Sequence, residues 1–362
     1  MNTTLIDRLE VRAFRVPTDR PESDGTLEWD HTGLVVVKVG CGRTRGLGWT
    51  YGSRAIVSLI EDILRPVVVG GDPFATEQLW QKMNRHLRNA GNRSLGAMAI
   101  AAVDVALWDL RARLLDRPLL SLWGTAREEV TVYGSGGFTS YTDRQLARQL
   151  AGWVEDGISS VKMKVGREPA RDPHRVSVAR RAIGAANLMV DANGAYAVKE
   201  AAAMAERFQS SSVVWFEEPV SSENREGLAL LRRRAPAAME IAAGEYGDTP
   251  IYFLRLLQAG AVDCLQADVT RCGGFTGFLK VAALAESFQI PLSAHCAPQL
   301  HAHVGSAAAS VRHVEYFHDH VRIGKLLFDG CLPARNGTLR PDRARAGHGL
   351  VFKEADAAKY AV

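Results

Sequence analysis

From Val130 to Phe317 the sequence repeats one rhythm, a short apolar run followed by an amphipathic stretch of helical period, with starts about 26 residues apart. Parallel strands need crossovers of a dozen or more residues, usually helical, and those helices cover the faces of the sheet. Eight repeats of this length close into a barrel. The strands read as Val130–Gly134, Ser160–Val165, Leu188–Ala192, Val213–Glu217, Glu240–Gly244, Val262–Ala267, Pro291–Ala294 and His313–Phe317. The fold class is therefore α/β, with a smaller unit ahead of the barrel.

That smaller unit reads as two strands, Ile6–Val16 and Gly33–Val39. Between them, Thr18–Thr32 carries Pro, Asp, Glu and Gly and is expected to form a long mobile loop. A helix over Leu95–Leu115 follows from Met98, Ala102, Val105, Trp108, Ala112 and Leu115 at helical spacing, and Pro118 marks its end. With 47% of its 362 residues hydrophobic, the chain can bury a core without covalent staples. Its five cysteines show no CxxC pair or zinc-type spacing. The 44 Lys and Arg against 40 Asp and Glu are spread without a basic arm. Arg232, Arg233 and Arg234 fall at a helix end, where cations are favoured, so no nucleic-acid partner is expected. No apolar run approaches a bilayer's thickness and the start lacks a secretory core; no membrane partner is expected, and a cytoplasmic setting is.

Polar residues close strand after strand: Lys162 and Lys164, then Asp191 and Asn193, Glu217 and Glu218, Glu245, Asp268, His295 and Glu315. In a barrel this rim is where active sites are built. Asp191, Glu217 and Glu245 on adjacent strands would repel one another unless a cation lay between them, and hard oxygen ligands suit Mg²⁺. Lys164 and His295 end strands on opposite sides of the barrel axis, so two bases can flank one substrate carbon. Lys162 shares a strand face with Lys164 and should depress its pKa. Asp268 can fix the tautomer of His295. Glu218, beside Glu217, should point the opposite way and support the others. As an alternative, Glu217 and Glu315 could be the acid and nucleophile of a metal-free glycoside hydrolase. A non-catalytic binding role is a further alternative.

These residues sit in VKMKVG (Val161–Gly166), VDANGAY (Val190–Tyr196), WFEEP (Trp215–Pro219), AGEYG (Ala243–Gly247), QADVTRCGG (Gln266–Gly274), SAHCAP (Ser293–Pro298) and HVEYF (His313–Phe317). With AAVDVALWDL at Ala101–Leu110, their order resembles the enolase superfamily, mandelate racemase subgroup, the mandelate racemase/muconate lactonizing enzyme-like proteins, over nearly the whole chain. The resemblance implies a modified TIM barrel, (β/α)₇β, under an α+β capping domain built from both chain ends. Residues 1–125 would form the capping domain, 126–330 the barrel, and 331–362 a segment returning to the cap. It also implies Asp191, Glu217 and Glu245 as Mg²⁺ ligands, Lys164 as one base with Lys162 beside it, and His295 with Asp268 as the other. Glu315 would bond or protonate a substrate carboxylate oxygen, and Asn193 would contact substrate near the metal.

The expected chemistry is removal of the proton α to a carboxylate through an enediolate, leading by analogy with the subgroup to dehydration of an aldonate or aldarate. Racemisation or epimerisation of a 2-hydroxy acid is the alternative outcome of the same first step. Specificity is assigned to Thr18–Thr32 and the loop around Trp49–Arg54, with Trp29, His31 and Tyr51 as substrate contacts. Arg54, Arg88 or Arg271 could receive a second carboxylate. The expected partners are a small-molecule carboxylate and further copies of the chain in a homo-oligomer.

Overall fold

The computed structural model describes residues 5–362, so residues 1–4 of the expected capping segment lie outside the described residues. Strands β1 (Arg8–Ser23), β2 (Glu28–Cys41) and β3 (Thr44–Tyr51) form an antiparallel sheet in that order. Both faces of this sheet are covered where β2 carries the apolar run Leu34–Val37. Val35, Val37 and Val39 join the core shared with helix Leu95–Leu114, while Leu34 and Val36 join the core that runs into the barrel.

Two expectations are corrected here. Thr18–Thr32 is not a long loop: β1 and β2 run on through it and pair Glu22 with Trp29 and Ser23 with Glu28, after a register shift between Pro17 and Glu22. Only the turn at its tip remains, where Asp24 Oδ1 accepts the backbone N–H groups of Thr26 and Leu27 at 2.6 and 2.7 Å. The polar composition reflects a hairpin that leaves the sheet to lie on the barrel, where Thr139 N–H donates to Ser23 O at 2.8 Å. Likewise, Trp49 and Tyr51 belong not to a loop but to β3, whose Gly46 and Gly48 dilute the strand pattern. Both glycines permit a close approach. A Cβ on Gly46 would lie 2.1 Å from Ala106 O and one on Gly48 2.3 Å from Ala102 O, so strand and helix pack backbone against backbone.

The barrel strands are β4 (Val130–Gly136), β5 (Ser160–Lys164), β6 (Asn187–Asp191), β7 (Val213–Glu217), β8 (Glu240–Ala243), β9 (Cys264–Ala267), β10 (Leu292–Ala294) and β11 (Val311–Phe317). They are parallel, each followed by a helix, and β11 pairs back onto β4 to close the ring. Each lies where the repeat predicted, its ends within two residues. Inside, Tyr133, Met189, Trp215, Ala242 and Cys264 form an apolar plug. Two positions further along β6 and β7 the same inward face carries Asp191 and Glu217, at the mouth.

The cap covers that mouth. Gly25 at the hairpin tip presses on the ends of β5 and β6, where a Cβ would meet Ala192 O at 2.3 Å and Val165 O at 2.7 Å. Asp104 of helix Leu95–Leu114 accepts the Thr276 N–H at 3.0 Å and its hydroxyl at 2.6 Å, tying cap to barrel helix Gly274–Ser287. After helix His318–Leu327 the tail forms β12 (Phe328–Asp329), β13 (Thr338–Leu339) and β14 (Val351–Phe352). β13 adds to β4, β12 pairs with β14, and Val362 N–H reaches Ala13 O at 3.1 Å. No helix among the described residues is long and apolar enough to cross a membrane.

Candidate active site

Parallel register sets Lys164 beside Asp191 and Asp191 beside Glu217, so the inward face of β5, β6 and β7 carries a cation next to two anions. Lys164 Nζ donates to Asp191 Oδ2 at 2.5 Å. Lys162 Nζ, one turn of the pleat deeper, reaches Glu217 Oε1 at 2.5 Å, Glu315 Oε1 at 2.9 Å and Asp191 Oδ2 at 3.6 Å. All these groups are buried. Burial alone would drive both ammonium groups toward neutrality. For Lys162 the carboxylates of Glu217 and Glu315 outweigh it and hold its pKa well above the usual lysine range. Around Lys164, Asp191 does the same. Lys162 lowers the Lys164 pKa, as expected, but less than the paired Asp191 raises it.

Asp191, Glu217 and Glu245 each place a carboxylate oxygen within 4.8 Å of the others. Burial and then Asp191 push Glu217 well above the usual carboxylate range. Glu245 Oε2 is buried without a hydrogen bond. Three buried oxygens with one orphaned and one forced toward protonation fit a hard divalent cation, which would supply the missing positive charge.

Left-handed backbone shapes the rim. Asn193, Glu218, Cys296 and Ala297 have φ of 46°, 37°, 52° and 36°, values that L residues adopt at a cost and that break strand alternation. At Glu218 this turn removes the extended backbone on which the expected opposite orientation rests. Glu218 is buried, and burial followed by Glu245, Asp191 and Glu217 raises its pKa well above the usual range. Asn193 N–H donates to Asp191 Oδ1 at 2.9 Å, and its own amide oxygen is buried without a partner.

On the other side, His295 Nδ1 lies 2.8 Å from Asp268 Oδ2, while Asp268 Oδ1 accepts Thr270 N–H and hydroxyl at 2.7 and 2.8 Å. Burial opposes the Asp268 charge, yet the hydrogen bond and charge of His295 hold it well below the usual range. His295 Nε2 faces Glu245 Oε2 at 3.3 Å and Glu315 Oε2 at 3.6 Å. Lys164 and His295 thus bound the acidic trio on either side.

The two parts of the chain match described domains: residues 9–124 match "Mandelate racemase / muconate lactonizing enzyme, N-terminal domain", and residues 145–356 match "Enolase C-terminal domain-like". The chain belongs to the mandelate racemase/muconate lactonizing enzyme family of the enolase superfamily. It is 52% identical to a solved mandelate racemase/muconate lactonizing enzyme-like protein from Rubrobacter xylanophilus, over 99% of this chain and 100% of that one, with a TM-score of 0.97. It is 33% identical to the 3,6-anhydro-α-L-galactonate cycloisomerase of Streptomyces coelicolor, over 96% of this chain and 97% of the relative. The L-talarate/galactarate dehydratase of Salmonella typhimurium, solved with Mg and L-lyxarohydroxamate, superposes with a TM-score of 0.90 at 27% identity, over 99% of this chain and 93% of that one. The curated relatives of this family member include acid-sugar dehydratases and cycloisomerases.

The structure does not bring all predicted residues of this family member together. Trp29 donates its indole N–H to Glu22 at 2.9 Å and meets Phe138 edge-on, and Tyr51 stacks on His320 at 3.5 Å, so packing accounts for both rings. His31 bonds Asp30 and Arg15 on the exposed side of the hairpin, outside the cluster. Arg54 shares a surface depression with His31, and the Arg88 guanidinium donates to its neighbour Asn89. Of the three candidate arginines, Arg271 alone reaches the rim, 3.6 Å from Glu245 and 3.8 Å from Asp268, over the ring of Tyr246. Sequence reading missed Cys296, whose adjacency to His295 in SAHCAP was the available signal, and Glu22, which lay inside the presumed loop.

Proposed function

We propose that this chain is a Mg²⁺-dependent acid-sugar dehydratase acting on an aldonate or aldarate. The observation that carries the reading is the placement of two proton carriers, Lys164 and the Asp268-held His295, on either side of three convergent carboxylates. Asp191, Glu217 and Glu245 would hold Mg²⁺, which supplies positive charge where a carboxylate gains a second negative charge on α-proton loss.

The chain's own residues do the rest. Lys162, fixed between Glu217 and Glu315, presents a permanent ammonium to the substrate carboxylate, and Glu315 borders the same carboxylate beside it. With Asp191 engaged in holding that metal ion, Lys164 would lose its counter-ion and the repulsion from Lys162 would act with less opposition, which would favour the neutral base. Asp268 keeps the proton on Nδ1 of His295, leaving Nε2 to accept or deliver a proton toward the cavity. One of the two takes the α-proton; His295 then protonates the departing β-hydroxyl, and a 2-keto-3-deoxy acid follows. The Cap hairpin and Asn193 exclude water and border the substrate.

Incubation with a library of aldonates and aldarates, read by 2-keto acid formation, tests the reading. Chelation by EDTA should abolish product and added Mg²⁺ should restore it. Likeness to a cycloisomerase over most of the chain favours one second reading, isomerisation from the same first step; a product of unchanged mass would select it. Deuterium exchange with inversion would select racemisation or epimerisation. The hydrolase alternative is disfavoured because Lys162 bonds both Glu217 and Glu315, leaving neither free as acid or nucleophile.

A further inference from the structure

Cys296 has no part in the chemistry above, yet its thiol is buried at the mouth of the barrel. Its Sγ lies 3.3 Å from His295 Nε2 and 3.5 Å from Glu315 Oε2, and those two atoms are 3.6 Å apart. A tetrahedral zinc ion, with bonds of about 2.3 Å to sulfur and about 2.0–2.1 Å to nitrogen and oxygen, separates its ligands by about 3.3–3.6 Å. The observed triangle has that size.

The supporting contacts point the same way. Asp268 holds the proton on Nδ1, so the Nε2 lone pair faces the sulfur, the carboxylate–histidine arrangement common behind zinc ligands. Glu315 is held at both oxygens, by Lys162 at 2.9 Å and by the Cys296 backbone N–H at 3.0 Å. The left-handed backbone at Cys296 and Ala297 departs from strand alternation at the thiol itself.

We propose that His295, Cys296 and Glu315 form a second metal site, selective for a borderline-soft divalent ion such as Zn²⁺ over Mg²⁺. Thiolate and imidazole suit the softer ion, whereas Mg²⁺ prefers the all-oxygen trio nearby. On binding, the Cys296 thiol releases its proton to solvent and a metal–sulfur bond forms with no change of oxidation state. The bound ion occupies the lone pair of His295, so it removes that imidazole from proton transfer whichever reaction the rim performs.

The test titrates Co²⁺, as a spectroscopic stand-in for Zn²⁺, into protein held in saturating Mg²⁺. The expected result is a thiolate-to-cobalt charge-transfer absorption that saturates at one ion per chain, is erased by Zn²⁺, is lost in Cys296→Ser and persists in Cys331→Ser. Absence of the absorption in the wild-type protein, its survival in Cys296→Ser, its loss in Cys331→Ser, or its suppression by rising Mg²⁺ overturns the proposal. The wild-type titration alone can refute it, so the outcome does not depend on the variants folding.

Discussion

Replacing Glu22 by Gln tests whether the capping hairpin is held shut by a proton. Glu22 is fully buried, pairs with Trp29 across β1 and β2, and accepts its indole N–H at 2.9 Å, while Oε1 has no partner. Burial, and then the charge of Asp319, push its carboxyl up to about 8 from 4.5. When the hairpin opens, the acid returns to its ordinary value. Because the closed state binds the proton more tightly, its contribution is full below about 4.5 and is lost as pH rises through about 8. At about 1.4 kcal/mol per unit, closure weakens by about 3 kcal/mol between about pH 5.5 and about pH 8, roughly a hundredfold in the opening equilibrium. Gln keeps an oxygen for the Trp29 N–H and removes the titration, so the variant's advantage should grow by that amount over the same range. Hydrogen exchange reads it directly through the amides of Asp24 and Thr139, which bond Leu27 O at 3.0 Å and Ser23 O at 2.8 Å. A difference in protection between the two proteins that stays flat with pH would refute the reasoning.

Three further outcomes are expected. Lys164→Ala and His295→Asn should each lower kcat by about 10²- to 10⁴-fold with the fold intact by circular dichroism, and full activity in either would remove that residue from proton transfer. Asp268→Asn should cost about a hundredfold or more in kcat and alter the pH profile, since Nδ1 loses its anionic acceptor; an unchanged profile would make the contact merely structural. Gly48→Ala should lower stability by about 1–3 kcal/mol, seen as a reduced Tm, because its Cβ would lie 2.3 Å from Ala102 O; an unchanged Tm would mean that strand and helix can separate freely.

Much of the rim was legible in advance because each chemical residue sits at a strand end, and strand ends follow from the spacing of apolar runs. Asp191, Glu217, Glu245, Lys162, Lys164, Asp268, His295 and Glu315 do converge. Alternation cannot orient Glu218, because it assumes extended backbone and its φ is 37°. The hold of Asp191 on Lys164 could not be read from one strand, because the carboxylate comes from the next. The hairpin escaped because its Pro21 and Asp24 carbonyls accept from Ser140 and Thr139, more than a hundred positions away.

What the sequence determined by itself is a closed barrel with an acidic mouth, since period and strand length allow few other ways to bury these apolar faces. Tertiary structure decided which mouth residues face one another, how the cap seals them, and which charges neutralise which. Those choices rest on left-handed turns and on contacts between distant segments, and neither leaves a periodic trace in a linear chain.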